Sequence, residues 1–168
     1  QAGRANSLVR TVLKATLPGV PDIYQGTEGW DYSLVDPDNR RPVDYGRRAR
    51  EVEAGPRADA KLACLAALLA DRQRSPLLYG EGDYRPIRIA GPAGDRVVAF
   101  ARAAGGEELV TVVSRFSLSG SPDMARLPLP PARWREVLTG RVVESGPDGL
   151  VLEELFARSP VAVLRRAA

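Results

Sequence analysis

The apolar positions outline the chain before any chemistry is considered. Leu8, Val12 and Ala15 recur at helical spacing, with Val9 and Leu13 beside them, and predict a helix over residues 6–16. Asn6 or Ser7 is placed to cap its start, and Pro18-Gly19 to stop it. The short run Gly19-Val20-Pro21-Asp22-Ile23-Tyr24 reads as one buried strand, in which Pro21 is an awkward member of any paired ladder. From residue 26 to 45 the periodicity disappears. A structureless stretch of that length is uncommon unless it is functional or disordered, and Trp30, Tyr32 and Leu34 argue against disorder. Residues 46–56 are charged and read as a surface excursion.

The strongest helical pattern spans residues 58–74. Leu62, Leu65, Leu68 and Leu69 form its stripe, Ala66 and Ala67 fill in, Asp59 suits the first turn, and Arg72 and Arg74 suit the last. Ser75-Pro76 ends it. Beyond Pro76 the pattern shortens. Extended pieces are expected at 85–90, 96–102, 108–116, 126–129, 134–138, 141–144, 149–153 and 161–164, with a hairpin turn at 103–106. Strands this short, split by Gly and Pro, indicate an antiparallel sandwich.

The expected fold is therefore α+β, with residues 1–75 as one unit and 76–168 as an all-β domain. One helix, one strand and one long loop cannot close an α/β layer, so the first unit reads as the end of something larger.

Composition narrows the chemistry. The chain is 44% hydrophobic and 27% charged, enough apolar material for a packed core and too much for wholesale disorder. No apolar run approaches the ~20 residues of a membrane span, and residues 1–10 carry no run placed like a signal peptide. With Cys64 alone no internal disulfide forms, and inside a helix it reads as a small core residue. There is no histidine, which removes imidazole acid-base schemes and most catalytic zinc sites. Of 24 basic residues only Lys14 and Lys61 are lysine. The arginines are scattered among 21 acids without a basic tract interleaved with aromatics, so no nucleic-acid surface is expected.

One constellation remains. Asp22, Glu28, Asp31, Asp36, Asp38 and Asp44 lie close in sequence with Arg40, Arg41, Tyr24, Gln25, Trp30, Tyr32 and Asn39. Carboxylates beside aromatic faces suit a sugar: hydroxyls take charge-assisted hydrogen bonds, and rings cover the apolar face of the pyranose. The same residues can equally tie a tight loop through Asp–Arg pairs. Asp36-Pro37-Asp38-Asn39 lacks the spacing of a calcium loop, and no metal or cofactor is expected.

The motif Gly19-x-Pro21-x-x-Tyr24-x-Gly26-x-Glu28 resembles the eighth barrel strand and following turn of the α-amylase superfamily. The longer run PGVPDIYQGTEGWDYSLVDPDNRRPVDYGRR, residues 18–48, is similar to its maltooligosyl trehalose synthase branch. Trp134-Arg135-Glu136-Val137-Leu138-Thr139-Gly140-Arg141 resembles a late strand and turn of the β-sandwich in such enzymes. Gly29 departs from the pattern, which leads one to expect a larger apolar residue there.

The resemblance implies the C-terminal part of a (β/α)8 barrel, with its last strand, active-site loop and final helix, followed by an antiparallel β-sandwich. It implies intramolecular transglucosylation in trehalose biosynthesis, converting the reducing-end α-1,4 link of a maltooligosaccharide to an α,α-1,1 link. Chemically this is a retaining glycosidase in which a sugar hydroxyl replaces water. The family's nucleophile, acid/base and third carboxylate follow earlier barrel strands, which would precede Gln1, so no acid here is assigned a catalytic role and the chain alone is expected to be inactive. Asp36, Asp38, Arg40 and Arg41 are the candidates for binding substrate. Tyr24, Gln25, Glu28, Trp30, Asp31, Asn39 and Asp44 are candidates for supporting the loop. The implied partners are a maltooligosaccharide and the remainder of the barrel, with no nucleic acid and no membrane, in the cytoplasm. Two alternatives stand beside this: a piece of another α-amylase-family hydrolase or transglycosylase, and a non-catalytic carbohydrate-binding or interaction β module. The last would need exposed aromatics among Tyr79, Tyr84, Phe100, Phe116, Trp134 and Phe156.

Overall fold

A computed structural model describes residues 2–32, 42–55, 59–91, 94–115 and 125–167. The architecture is α+β, with two antiparallel sheets and several helices. Strands β2 (Val97–Ala104) and β3 (Glu107–Ser114) form a hairpin closed by Gly105 and Gly106, at φ 58° and 81°. Consecutive positive φ values are what a two-residue hairpin turn requires. Strand β8 (Val161–Arg166) joins β3, β5 (Ala132–Glu136) joins β8, and β6 (Val142–Ser145) joins β5. The short β1 (Arg85–Pro86) completes the sheet in the order β1-β2-β3-β8-β5-β6. A second, two-stranded sheet pairs β4 (Arg126–Leu127) with β7 (Leu150–Val151).

The large sheet is covered on both faces, so its central strands read as continuous apolar runs. Val110, Val112, Ala162 and Leu164 pack with Leu127, Leu150 and Trp134 of the other strands and with Leu152 and Leu155. On the opposite face Leu109, Val113, Val161 and Val163 meet three helices. These are α1 (Ala2–Thr16) through Val12 and Ala15, α3 (Ala60–Arg74) through Cys64 and Leu68, and α4 (Pro76–Glu81) through Leu78 and Tyr79.

Several sequence expectations are corrected. Helix α1 starts at Ala2, so Asn6 and Ser7 are interior residues rather than caps, and the Ser7 carbonyl accepts from Thr11 Oγ1 at 2.9 Å. The 19–24 segment is not a buried strand. It is extended, but among the described residues nothing pairs with it, and Val20 is 94% exposed. The charged 46–56 stretch is mostly helical, as α2 (Tyr45–Glu53), because Asp44 caps it by accepting from Arg47 N at 2.8 Å. Asp59 is the N-cap of α3 rather than part of its first turn, accepting from Lys61 N at 2.8 Å. In α3 the residues at one helical face, Leu62, Leu65 and Leu68 with Cys64, are buried. Leu69, one residue further round, is rotated off that face and exposed.

Pro76 ends α3 but begins α4, since proline fits a helix's first turn. The extended piece expected at 149–153 is only β7, followed by α5 (Leu152–Phe156), where Leu152 and Leu155 share an inner face and Glu153 and Glu154 suit the first turn.

Polar groups are built into this core, Arg102 and Glu136 among them. Arg102 is buried and stitches the end of α4 to β2, donating to the carbonyls of Tyr79 at 2.9 Å and Gly82 at 2.8 Å. Glu136 is buried, and its carboxylate accepts from Thr139 N at 2.7 Å, Thr139 Oγ1 at 2.6 Å and Val163 N at 3.3 Å. It thereby fixes the turn that leads from β5 to β6. Burial, reinforced by Glu136, pushes the Cys64 thiol up to about 12, so it stays protonated and unreactive at neutral pH. No helix among the described residues is long and apolar enough to cross a membrane.

Candidate functional site

The described part of the acidic, aromatic segment is a turn held by basic side chains from three helices. Helix α1 ends at Thr16, and Gly19 shortly after it takes φ 118°. Arg72 of α3 reaches across to the exposed end, donating to the carbonyls of Ala15 at 2.8 Å and Gly19 at 3.2 Å. Lys14 donates to the Asp22 carbonyl at 2.7 Å. The chain then reverses: Thr27 N donates to Tyr24 O at 3.0 Å, and Thr27 Oγ1 donates to the same oxygen at 2.6 Å. Gly26 sits inside this reversal at φ 85°, a conformation that favours glycine.

Helix α2 folds back over the turn. Tyr45 Oη donates to Gln25 Oε1 at 2.9 Å. Arg48 donates to the Gly26 carbonyl at 2.8 Å and, through its other nitrogen, to Glu51 at 2.8 Å. Arg48 also explains Gly29. A Cβ at Gly29 would lie 2.2 Å from Arg48 Nη1, so the space that a larger apolar residue would need holds a guanidinium instead.

On the far side, the guanidinium of Arg4 in α1 lies 5.2 Å from the Trp30 ring centroid, and its Nε donates to Tyr32 Oη at 2.9 Å. That hydrogen bond raises the Arg4 pKa. Lys61, in the first turn of α3, is shifted downward by burial, opposed by Asp31, Asp59 and Glu28. Glu28 Oε2 is shut from solvent and meets no hydrogen-bond donor among the described residues.

Of the candidate residues, Tyr24, Gln25, Glu28, Trp30, Asp31 and Asp44 lie in this assembly, and Tyr24 is exposed. Asp36, Asp38, Asn39, Arg40 and Arg41 lie outside the described residues. The sequence reading missed Arg4, Tyr45, Arg48, Lys61 and Arg72 as parts of this assembly. An Asp44 cap before Tyr45 was the available signal for the helix that brings Tyr45 and Arg48 in. Among the described residues no group of three or more acidic or thiol side chains is gathered to hold a metal. A separate cavity of about 560 Å³ lies between α1, α3 and the turn after β5, lined in part by Leu8, Ala63, Cys64 and Glu136. Its buried carboxylate, Glu136, already serves the backbone and Thr139. In the β region Tyr79, Phe100 and Trp134 are buried, while Tyr84 is exposed and stands 5.2 Å from Phe100. Phe156 is half-buried and Phe116 lies outside the described residues, so among the described aromatics of this set no exposed line is present for a sugar to stack on.

No protein-family model matches the chain. A protein of Mycobacterium tuberculosis strain H37Rv, provisionally named a maltooligosyl trehalose synthase, is 44% identical over 165 residues, covering 96% of this chain and 20% of its own length. The structure of maltooligosyltrehalose synthase from Arthrobacter ramosus matches with a TM-score of 0.81 and 30% identity, over 99% of this chain and 22% of that one. An α-amylase from Geobacillus thermoleovorans matches with a TM-score of 0.67 and 23% identity, over 99% of this chain and 34% of that one, which shows a shared fold alone. The chain is homologous along nearly all its length to maltooligosyl trehalose synthases, and it spans about a fifth of theirs.

Proposed function

We propose that residues 1–75 are the last strand segment, active-site loop and final helix of a (β/α)8 catalytic barrel, and residues 76–168 its β-sandwich partner, in an enzyme that isomerises maltooligosaccharides. The observation that carries this reading is 44% identity across 96% of the chain to the mycobacterial relative. The reaction proposed is the conversion of a reducing-end α-1,4 glucosidic link to an α,α-1,1 link within one molecule. The carboxylates that break and remake the bond belong to the portion of the relatives that this chain does not span. Its own contribution is a wall of the pocket.

The placement of the wall follows from barrel geometry, in which the loops after the strands and the N-termini of the helices share one face, and chemistry occurs there. The 25–32 turn, Lys61 in the first turn of α3 and Arg4 near the start of α1 are neighbours through Arg4–Tyr32 and the fields of Asp31 and Glu28 on Lys61. On this reading the 33–41 segment leaves from that face, and Asp36, Asp38, Arg40 and Arg41 bind sugar hydroxyls while excluding water from the migrating glucosyl group. The proposed substrate is a maltooligosaccharide, with no cofactor, in the cytoplasm.

The test is made in a hybrid in which this chain replaces the matching fifth of the mycobacterial relative. Arg40→Ala and Arg41→Ala are introduced separately. At least one is expected to lower kcat/KM by about tenfold, ~1.4 kcal/mol of transition-state stabilisation, and to raise the share of free glucose released. Wild-type rate and wild-type glucose release in both variants would reduce the loop to scaffold.

A further inference from the structure

We infer that Glu28 is an inter-segment acceptor: its shielded Oε2 receives a hydrogen bond from polypeptide of the larger protein, and completing that bond locks the 25–29 turn. This rests on the reading that the chain docks onto a larger catalytic portion.

The argument begins with an imbalance. A carboxylate oxygen removed from solvent without a donor is costly, and native structures satisfy almost all such groups. Glu28 Oε2 is shielded and has no donor among the described residues. Among the described residues, the basic side chains that hold this turn are already engaged. Arg48 is committed to Gly26 O and Glu51. Arg4 is committed to Tyr32 and the Trp30 face. Lys61 feels Glu28 only as the smallest of its electrostatic influences and makes no ion pair with it.

The surroundings say what kind of donor arrives. Leading into the turn, residues 20–24 are extended and unpaired among the described residues, with Val20 94% and Tyr24 49% exposed. The Asp22 and Tyr24 carbonyls are taken by Lys14 and Thr27, but the segment joins no strand ladder among the described residues. An exposed apolar side chain on such a segment is covered by polypeptide rather than by a polyol, because only polypeptide supplies both ladder hydrogen bonds and apolar contact. The mycobacterial relative is matched over only 20% of its length, so it has the additional chain that such an occupant requires. Glu28 is thus a positioning residue: it touches no reacting atom, and it holds the turn from which the 33–41 segment departs.

The experiment compares Glu28→Met, Glu28→Gln and Lys61→Met in the 168-residue chain and in the hybrid, reading urea midpoints and amide exchange of residues 25–29. In the chain alone, Glu28→Met is expected to leave the midpoint unchanged or raised, since it removes a shielded oxygen that has no donor among the described residues. In the hybrid, it is expected to speed exchange of the 25–29 amides by about tenfold or more and to lower kcat with KM little changed. Glu28→Gln, which keeps an acceptor oxygen at the same reach, is expected to restore most of both. A midpoint lowered equally by Glu28→Met and Lys61→Met in the chain alone overturns the inference, because the donor is then Lys61. So does an active hybrid whose exchange and kcat ignore Glu28→Met, a result that leaves the functional reading standing. A wild-type hybrid that folds without activity counts against the functional reading first and takes the inference with it.

Discussion

Replacing Arg165 by methionine lowers the stability of the chain by about 3 kcal/mol or more, and adding Asp71→Asn to that variant returns at least about 1 kcal/mol. The two charges meet at the junction of α3, α4 and the large sheet. Asp71 is 2% exposed, and its Oδ2 lies 3.7 Å from Arg165 Nη1 and accepts from Tyr79 Oη at 2.8 Å. Arg165 also donates to Ser75 Oγ at 2.9 Å and pairs with Glu107. Burial, with the Asp71 charge beside it, pushes the Tyr79 hydroxyl far above its usual range, so Tyr79 is a hydrogen-bond donor at any ordinary pH. Removing Arg165 alone strands the Asp71 charge with Tyr79 and the exposed Arg74. Converting Asp71 to asparagine removes the stranded charge and keeps an acceptor for Tyr79. Urea denaturation of the four proteins of the cycle reads this directly. Additive losses, with the double variant less stable than Arg165→Met alone, would show that the two side chains do not depend on each other.

A second large effect separates neighbouring leucines of α3. Leu68→Asp is expected to cost about 4 kcal/mol or more, or to prevent folding, because it places an unpaired charge against Val12, Leu109 and Val163. Leu69→Asp, at a position 40% exposed, is expected to change the stability of the chain by about 0.5 kcal/mol or less. Equal melting losses in the two variants would contradict the orientation of α3 toward α1 and the core beneath it.

The same helix shows what the sequence makes legible. The α3 stripe, the β2–β3 hairpin and the Ser75-Pro76 boundary are local signals, set by helical spacing, by two successive glycines and by a missing N–H. Leu69 falls outside the stripe because an apolar residue belongs to one only when a partner faces it, and the chief partner of α3 is α1, some fifty residues away in the sequence. The 19–24 segment has a strand's composition, but a strand exists only by pairing, and no pairing partner lies among the described residues. Helix α5 was hidden because five residues after a strand are too few to show a period.

The candidate site divides along the same line. Its density of acids and aromatics was visible from composition. Gly29, by contrast, makes sense only once Arg48 occupies the space above it, and Arg4 enters only because α1 and the turn are neighbours in space. Glu136 carries the same lesson within the β region: an acid in a strand-like run reads as solvent-facing, yet its carboxylate is the internal acceptor that shapes the next turn.

Under the proposed function, this chain completes a transglucosylation site and does not constitute one. The direct measurement is product analysis after maltopentaose is incubated with the chain alone, with the mycobacterial relative lacking the matching fifth, and with the hybrid of the two. The account predicts a non-reducing trehalosyl product from the hybrid and none from either part. Turnover by the 168-residue chain alone, or a folded hybrid that forms no such product, would contradict it.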